Sequence, residues 1–287
     1  MIDAYFQMPN SINPRTDTHG HIDLVPGGSA ANFAVWTARQ GAPSAFVGRV
    51  GDDFLGHGLD SDLRREGVQP FLSFDRDFDT GRVGVMVSPG GERNMVCDRR
   101  ANTRLCPDDV PEQAIADAEW LHVSGYAMFE PDPRRAARRA IEIASEAGVP
   151  VSIDPAAYAF IRSLGAAEFV KMCKGATVIM PNRDEAAALT GLEGPEEMTL
   201  ALAELFPVVA LKLGGEGSMG MDRLSQGAPA EPVFARPVDV EAIDTNGAGD
   251  AFNAGFVFAY LKGEGLEAAL HRGNELGAHV VGRRGAR

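Results

Sequence analysis

An α/β fold with a mostly parallel sheet and a small β-rich lid is what this sequence predicts, on three observations. From about residue 117 onward, short apolar runs alternate with helical stretches, the rhythm of repeated βαβ units. Between residues 71 and 102 the pattern changes: RVGVMVS and ERNMVCD are β-like runs joined by Pro89-Gly90-Gly91, which reads as a hairpin. Near the C-terminus, the segment AIDTNGAGDAFNAGF at 242–256 sets a glycine-rich turn and an aspartate at the mouth of an apolar helix, a place that holds anions.

Taken in order, the series opens with an apolar run at 119–124 and a helix at 132–147, then a strand in VPVSID at 149–154. A helix over 160–174 leads to a strand in TVIM at 177–180. Helices at 182–190 and 195–205 precede the strand PVVALKLG at 207–214, and helices near 248–262 and 266–280 close the chain. The stretch 4–25 is polar and weakly β-like, and with 71–102 it is expected to cover the end of the main sheet and exclude water. No repeat, low-complexity tract or linker marks a boundary, so residues 1–287 read as one domain.

Composition removes several functions. The chain of 287 residues carries 27 Lys and Arg against 40 Asp and Glu, a net charge of −13 that opposes binding to nucleic acid or an anionic membrane. Cys97, Cys106 and Cys173 form neither a disulfide framework nor a metal-ligand spacing, which fits a reducing cytoplasm. There is no run of 18 apolar residues, and Met1 is followed by Ile-Asp-Ala rather than by a basic segment and an apolar core, so the reading is neither secreted nor spanning.

The chemistry concentrates at the glycine turn. Gly247, Ala248 and Gly249 let the backbone turn tightly and present N–H groups to a ligand, and the helix that follows adds about half a positive charge at its N-terminus. Asp250, in the first turn, is placed to take a proton from an attacking hydroxyl while those amides hold charge on a phosphoryl group. An aspartate in a first turn also complements the dipole with no further role. Gly27-Gly28 directly before a helix leave room for a polar ligand, and Asn32, one turn in, offers a donor and an acceptor. Asn182 and Glu185 have the spacing of a capping box. Gly215-x-Gly217-x-x-Gly220 formally matches a dinucleotide fingerprint, but no apolar helix follows it, and a Walker A pattern is absent, which argues against NAD enzymes and P-loop kinases. Arg93, Arg99 and Arg100 cluster on the second lid run, where an inward guanidinium would pair with a carboxylate or phosphate; strict alternation puts Arg93 and Arg99 on one face.

The segment DTNGAGD at 244–250 resembles the C-terminal signature of the ribokinase/PfkB family of carbohydrate kinases. VPGGSAANFAVWTARQGA at 25–42, with FVGRVGDDFLGHGL at 46–59, resembles that family's N-terminal signature, and the likeness spans nearly the whole chain. The resemblance implies a three-layer α/β/α ribokinase-like fold and transfer of the γ-phosphate of ATP to a hydroxymethyl group of a sugar or sugar acid. It makes Asp250 the base and the amides of Gly247, Ala248 and Gly249 the anion hole. It assigns Asp3, Gly27, Gly28 and Asn32 to the sugar, with Arg99 added by likeness to the family's sugar-acid kinases. It places Lys212, Gly214, Gly217 and Asn274 by the nucleotide, Asn182 and Glu185 near Mg²⁺ and its waters, and Asp244 by a monovalent cation such as K⁺. The family pattern has a strand ahead of Asp3, so either the start is internal to a longer product or the main sheet lacks one strand. A homodimer through the lid is expected. A nucleoside kinase of the same family, or a non-catalytic sugar or nucleotide sensor that keeps the fold, are the alternatives.

Overall fold

The computed structural model describes every residue except 10, 12, 89–92, 226–230 and 284. The chain runs through β1 (Ile2–Gln7), β2 (His21–Pro26), α1 (Ser29–Arg39), β3 (Ser44–Gly51), α2 (Phe54–Arg65) and β4 (Val68–Asp75). Strands β5 (Arg82–Val87) and β6 (Arg93–Asp98) follow, then α3 (Glu112–Ala116), β7 (Leu121–Ser124), α4 (Pro131–Ala147), β8 (Val151–Asp154), α5 (Tyr158–Leu164) and α6 (Ala166–Met172). The last part holds β9 (Val178–Ile179), α7 (Arg183–Thr190), α8 (Pro195–Ala203), β10 (Val208–Lys212), β11 (Ser218–Asp222), β12 (Val233–Ala235), α9 (Ala248–Leu261) and α10 (Leu266–Val281).

The main sheet has the order β12-β11-β10-β9-β8-β7. Strands β7 to β10 are parallel, and β11 and β12 add antiparallel. Alternation along β10 explains the layers. Val209 and Leu211 enter a core shared with α4, α7 and α8, while Val208 and Ala210 enter a second core shared with α9 and α10. Helices therefore cover both faces of a sheet whose strands are apolar on both sides, the α/β/α arrangement. Strands β3 and β4 pair in parallel as a separate two-stranded sheet.

A four-stranded sheet of order β2-β1-β5-β6 takes strands from both windows that the sequence assigns to a lid. Its register fixes two faces. Asp3 lies opposite Val25 and Val83, and Val83 opposite Cys97, so these side chains share one face, while Leu24, Ala4, Gly84 and Val96 share the other.

Three expectations need correction. Residues 71–75 belong to β4 and pair with β3, so the lid portion of that window begins later. The helix expected over 160–174 is two, because Gly165 takes φ 93°, a left-handed value that ends α5 and opens α6. Strand alternation in β6 stops at Asp98: Arg99 caps a 3₁₀ turn over Arg100–Arg104, and Arg100 turns outward to Asp98 at 2.6 Å. The Pro89-Gly90-Gly91 turn lies outside the described residues.

Candidate active site

The N-terminus of α9 is the centre of the site. Gly247 caps it at φ 76°, and a Cβ there would lie 2.5 Å from the Cβ of Ala286, so both conformation and space require glycine. Gly249 differs: the nearest atom to a Cβ at that position is Lys212 Nζ, 3.6 Å away. Gly247 and Gly249 line the cavity with no side chain of their own, while the Ala248 N–H reaches back to the Thr245 carbonyl at 3.4 Å.

Asp250 follows in the first turn. Its Oδ1 accepts from Ser29 Oγ at 2.7 Å and its Oδ2 from Asn32 Nδ2 at 2.9 Å, which ties the start of α9 to the start of α1. Ser124 Oγ, at the end of β7, donates to Ser29 Oγ at 3.2 Å. Burial pushes the Asp250 carboxyl up to about 6, against the opposing pull of the Asn32 bond. The Oδ1 of Asn32 is buried and has no partner among the described residues, an acceptor available to a hydroxyl.

A cavity of about 830 Å³ opens over these groups, large enough for a nucleotide and a small sugar together. It is walled by the inner face of the lid, by β3, and by the C-terminal ends of β7, β8 and β10. Of the residues singled out in the sequence, Asp3, Gly27, Gly28, Asn32, Arg99, Asn182, Glu185, Lys212, Gly214, Gly247, Gly249 and Asp250 line it. Ala248 opens α9 behind its two glycines. Gly217, Asn274 and Asp244 lie outside the lining. Gly217 serves a close approach, since a Cβ there would sit 2.3 Å from the carbonyl oxygen of Ala235. Asn274 spends its amide on the carbonyls of Ala235 and Arg236, at 3.2 and 3.0 Å, pinning α10 to the chain after β12. Asp244 is buried and accepts from the backbone N–H groups of Asn246 and Gly285.

On the lid side, a Cβ at Gly27 would meet the Asp3 carboxylate at 2.4 Å, so this glycine lets the chain pass directly over that carboxylate. Burial raises the Asp3 carboxyl above its ordinary range. Arg99 donates from Nη2 to the Tyr126 carbonyl at 2.7 Å and lies over the Phe129 ring at 5.4 Å. Its Nη1 is buried with no partner, and no carboxylate pairs with it among the described residues.

The Asn182–Glu185 pair forms a complete capping box at α7. Glu185 accepts from Asn182 N at 2.9 Å and from Asn182 Nδ2 at 2.8 Å, and burial together with the nearby Asp154 charge pushes it up to about 7. Both oxygens are thus engaged, and no cluster of three or more His, Cys, Asp or Glu side chains is assembled for an ion among the described residues. That donor set fits a metal ion that keeps its waters and arrives on phosphate.

The structure adds groups that the sequence reading missed. Asp154, at the end of β8, accepts from Lys212 Nζ at 2.6 Å and from Asn253 Nδ2 of α9. The Lys212 charge, acting against burial, holds the Asp154 carboxyl below the carboxylate range. A carboxylate ending a buried strand directly before Pro155 was the available signal. Ser29 and Ser124 gave none, since single serines near strand and helix ends are commonplace turn residues.

Architecture and site together define an α/β/α protein of ribokinase-like fold. The solved adenosine kinase from Sinorhizobium meliloti superposes with a TM-score of 0.88 at 27% identity, over 100% of this chain and 93% of that one. The sequence model of the pfkB family carbohydrate kinases matches residues 1–287, and the chain belongs to that family of kinases. It is 34% identical over 264 residues to an ATP-dependent ribose-1-phosphate kinase of Halopiger xanaduensis, covering 91% of this chain and 82% of the relative. An uncharacterized sugar kinase of Archaeoglobus fulgidus is 30% identical over 251 residues, 87% of this chain and 96% of the relative. Among the described residues no helix is long and apolar enough to cross a membrane.

Proposed function

We propose that this protein is an ATP-dependent sugar kinase that phosphorylates a hydroxymethyl group of a small sugar bearing an anionic group, a sugar acid or a sugar phosphate. The observation that carries the reading is the buried Asp250 carboxylate, poised near neutrality beside the glycine turn that opens α9 on the cavity wall. A carboxylate with this basicity takes the hydroxyl proton as the new bond forms, and the amides of Gly247 to Gly249 take up the charge of the phosphoryl group. Ser29 and Asn32 orient the base. The unpaired Asn32 Oδ1 and the buried Asp3 carboxylate supply acceptors for sugar hydroxyls.

Arg99 supports the anionic acceptor. A guanidinium with a buried, unpaired Nη1 on a cavity wall carries a desolvation cost that a substrate carboxylate or phosphate would offset. Gly214 and Lys212 lie where the phosphates of ATP would enter. Mg²⁺, when bound, neutralises phosphate charge, and Asn182 and Glu185 would hold its waters. Asp244, held by backbone N–H groups near the C-terminal end of α10, is our candidate beside a K⁺ site, with Gly217 and Asn274 supporting the nucleotide side from behind the cavity. Residues 1–287 work as one domain whose four-stranded sheet is the lid, paired with a second copy, in the cytoplasm.

The test is ADP release with Mg-ATP against ketoses, pentoses, keto-deoxy sugar acids, sugar phosphates and nucleosides, with Asp250→Asn beside the wild type. Selective turnover of an anionic sugar that disappears in the variant is the expected result. Preference for a neutral sugar or a nucleoside would remove the role of Arg99, and silence across the panel in a folded protein that binds ATP would favour a sensor.

A further inference from the structure

Three cationic side chains line the cavity among the described residues, and they differ in what they are free to do. Arg49 is held by two carboxylates, Asp75 at 2.9 Å and Asp109 at 3.0 Å. Arg99 lies on the lid side against Tyr126 and Phe129. Lys212 ends β10 at the foot of α9, and its Nζ is the nearest atom, at 3.6 Å, to the place a Gly249 Cβ would take. The ammonium therefore sits against the amide turn.

Its position is built. Nζ donates to Asp154 Oδ2 at 2.6 Å and to Asn253 Oδ1 at 3.3 Å, and Asn253 Nδ2 donates to the same Asp154 oxygen. That closed triangle joins the ends of β8 and β10 to the second turn of α9 and engages two of the three ammonium donors. The Lys212 side chain is 12% exposed and that of Asp154 is 8% exposed. Burial works against the charge on the amine, but the charges of Asp154, Glu185 and Asp250 outweigh it and favour the protonated form. A buried ion pair is a poor way to gain stability, because desolvation of both charges consumes most of the attraction. Placing one at the mouth of the catalytic cavity calls for another use.

We propose that Lys212 is a catalytic residue that binds the transferring γ-phosphoryl group, with Asp154 and Asn253 as positioning residues that aim its ammonium at the amide turn. The inference rests on the kinase reading above. In the transfer, the acceptor hydroxyl oxygen bonds to the γ-phosphorus, its proton passes to Asp250, and the bond from phosphorus to the β,γ-bridging oxygen breaks with its electron pair left on ADP. Lys212 keeps its protons throughout. The amides offer partial charges, whereas the lysine adds a full one where negative charge spreads over the equatorial oxygens.

The test must separate this role from mere neutralisation of Asp154, so it uses Lys212→Met, Asp154→Asn and the double variant that removes both charges. We expect Lys212→Met to lower kcat by about 10²–10³ with the sugar KM near wild type, and the double variant to remain as slow while recovering the thermal stability lost in Lys212→Met. Calorimetry with ATP and with ADP supplies a readout independent of turnover: the double variant should lose the wild-type preference for ATP. A double variant that turns over at the wild-type rate, or keeps that preference, overturns the proposal. A wild type that phosphorylates nothing sinks the kinase reading, and the ATP-to-ADP comparison still decides the lysine.

Discussion

At Asp250, the proposed role as base and the stability of the fold pull in opposite directions. The carboxyl is buried and pushed up to about 6, whereas in the unfolded chain it titrates near 3.8. The folded state thus holds the proton longer: its stabilising effect is complete below about pH 3.8 and is lost as pH climbs through about 6. Above that, the ionised base costs the fold roughly 1–3 kcal/mol. Asp250→Asn should therefore cut turnover by roughly 10²–10⁴ and raise the melting temperature at pH 7–8, with the gain gone near pH 4. Differential scanning fluorimetry at the two pH values checks it, and a variant that melts lower at neutral pH would contradict the burial argument. In the wild type, kcat/KM should fall on the acid side with an apparent pKa near 6. The neighbouring glycines separate geometry from chemistry. Gly249→Val meets only the flexible Lys212 tip, so it should fold and lose activity as the side chain enters the proposed anion hole; Gly247→Ala faces Ala286 and a left-handed φ, so it should lower stability as well. Circular dichroism beside turnover distinguishes the two.

At the level of elements, the sequence disclosed what is local. The α9 turn with its aspartate is contiguous, so the sequence already set Gly247, Gly249 and Asp250 side by side, and all three line the cavity. Asp154 and Lys212 are 58 residues apart, and only the parallel order β8-β9-β10 brings their strand ends together, so no local pattern could reveal the pair. The break between α5 and α6 had a signal, Gly165, but a single glycine inside an apolar run is often tolerated in a helix, and its φ is settled by packing. The α9–α10 contact shows how a small residue sets a helix distance. A Cβ on Gly255 would lie 2.7 Å from the Arg272 carbonyl oxygen and 3.2 Å from Gly273 Cα, while Gly273 in turn lies under the Phe252 ring. Gly255→Ala must push the two helices apart, and α9 carries the site. We expect a loss of about 1–3 kcal/mol, or roughly 2–4 °C per kcal/mol in melting temperature, with a parallel fall in kcat. An unchanged melting point would show that the helices have slack there.

For the whole molecule, the lid poses a question its own fold does not answer. The face carrying Asp3, Val83 and Cys97 lines the cavity, and the opposite face of the same sheet carries Ala4, Phe6, Ile22, Leu24, Met86 and Val96. Ile22 is 57%, Leu24 62% and Val96 63% exposed, an apolar surface on a thin sheet that no helix covers on that side among the described residues. A sheet apolar on both sides is stable in water only when both are covered. A second lid is the complementary cover: it presents the same flat apolar face, packs sheet on sheet at about 10 Å, and closes by a two-fold axis without leaving a surface free to propagate. We therefore expect a dimer in solution, measurable by light scattering at micromolar concentration. Each copy carries a net charge of −13, so mutual repulsion works against the apolar contact, and the dimer should tighten as salt rises and the screening length falls below about 8 Å. Ile22→Glu with Leu24→Glu places charge at the centre of that contact and should give monomers. Because β2 pairs with β1, which holds Asp3 over the cavity, the same change should raise the sugar KM more than it lowers kcat. A wild type that stays monomeric at high salt would rule out the pairing and leave the lid to be covered in some other way.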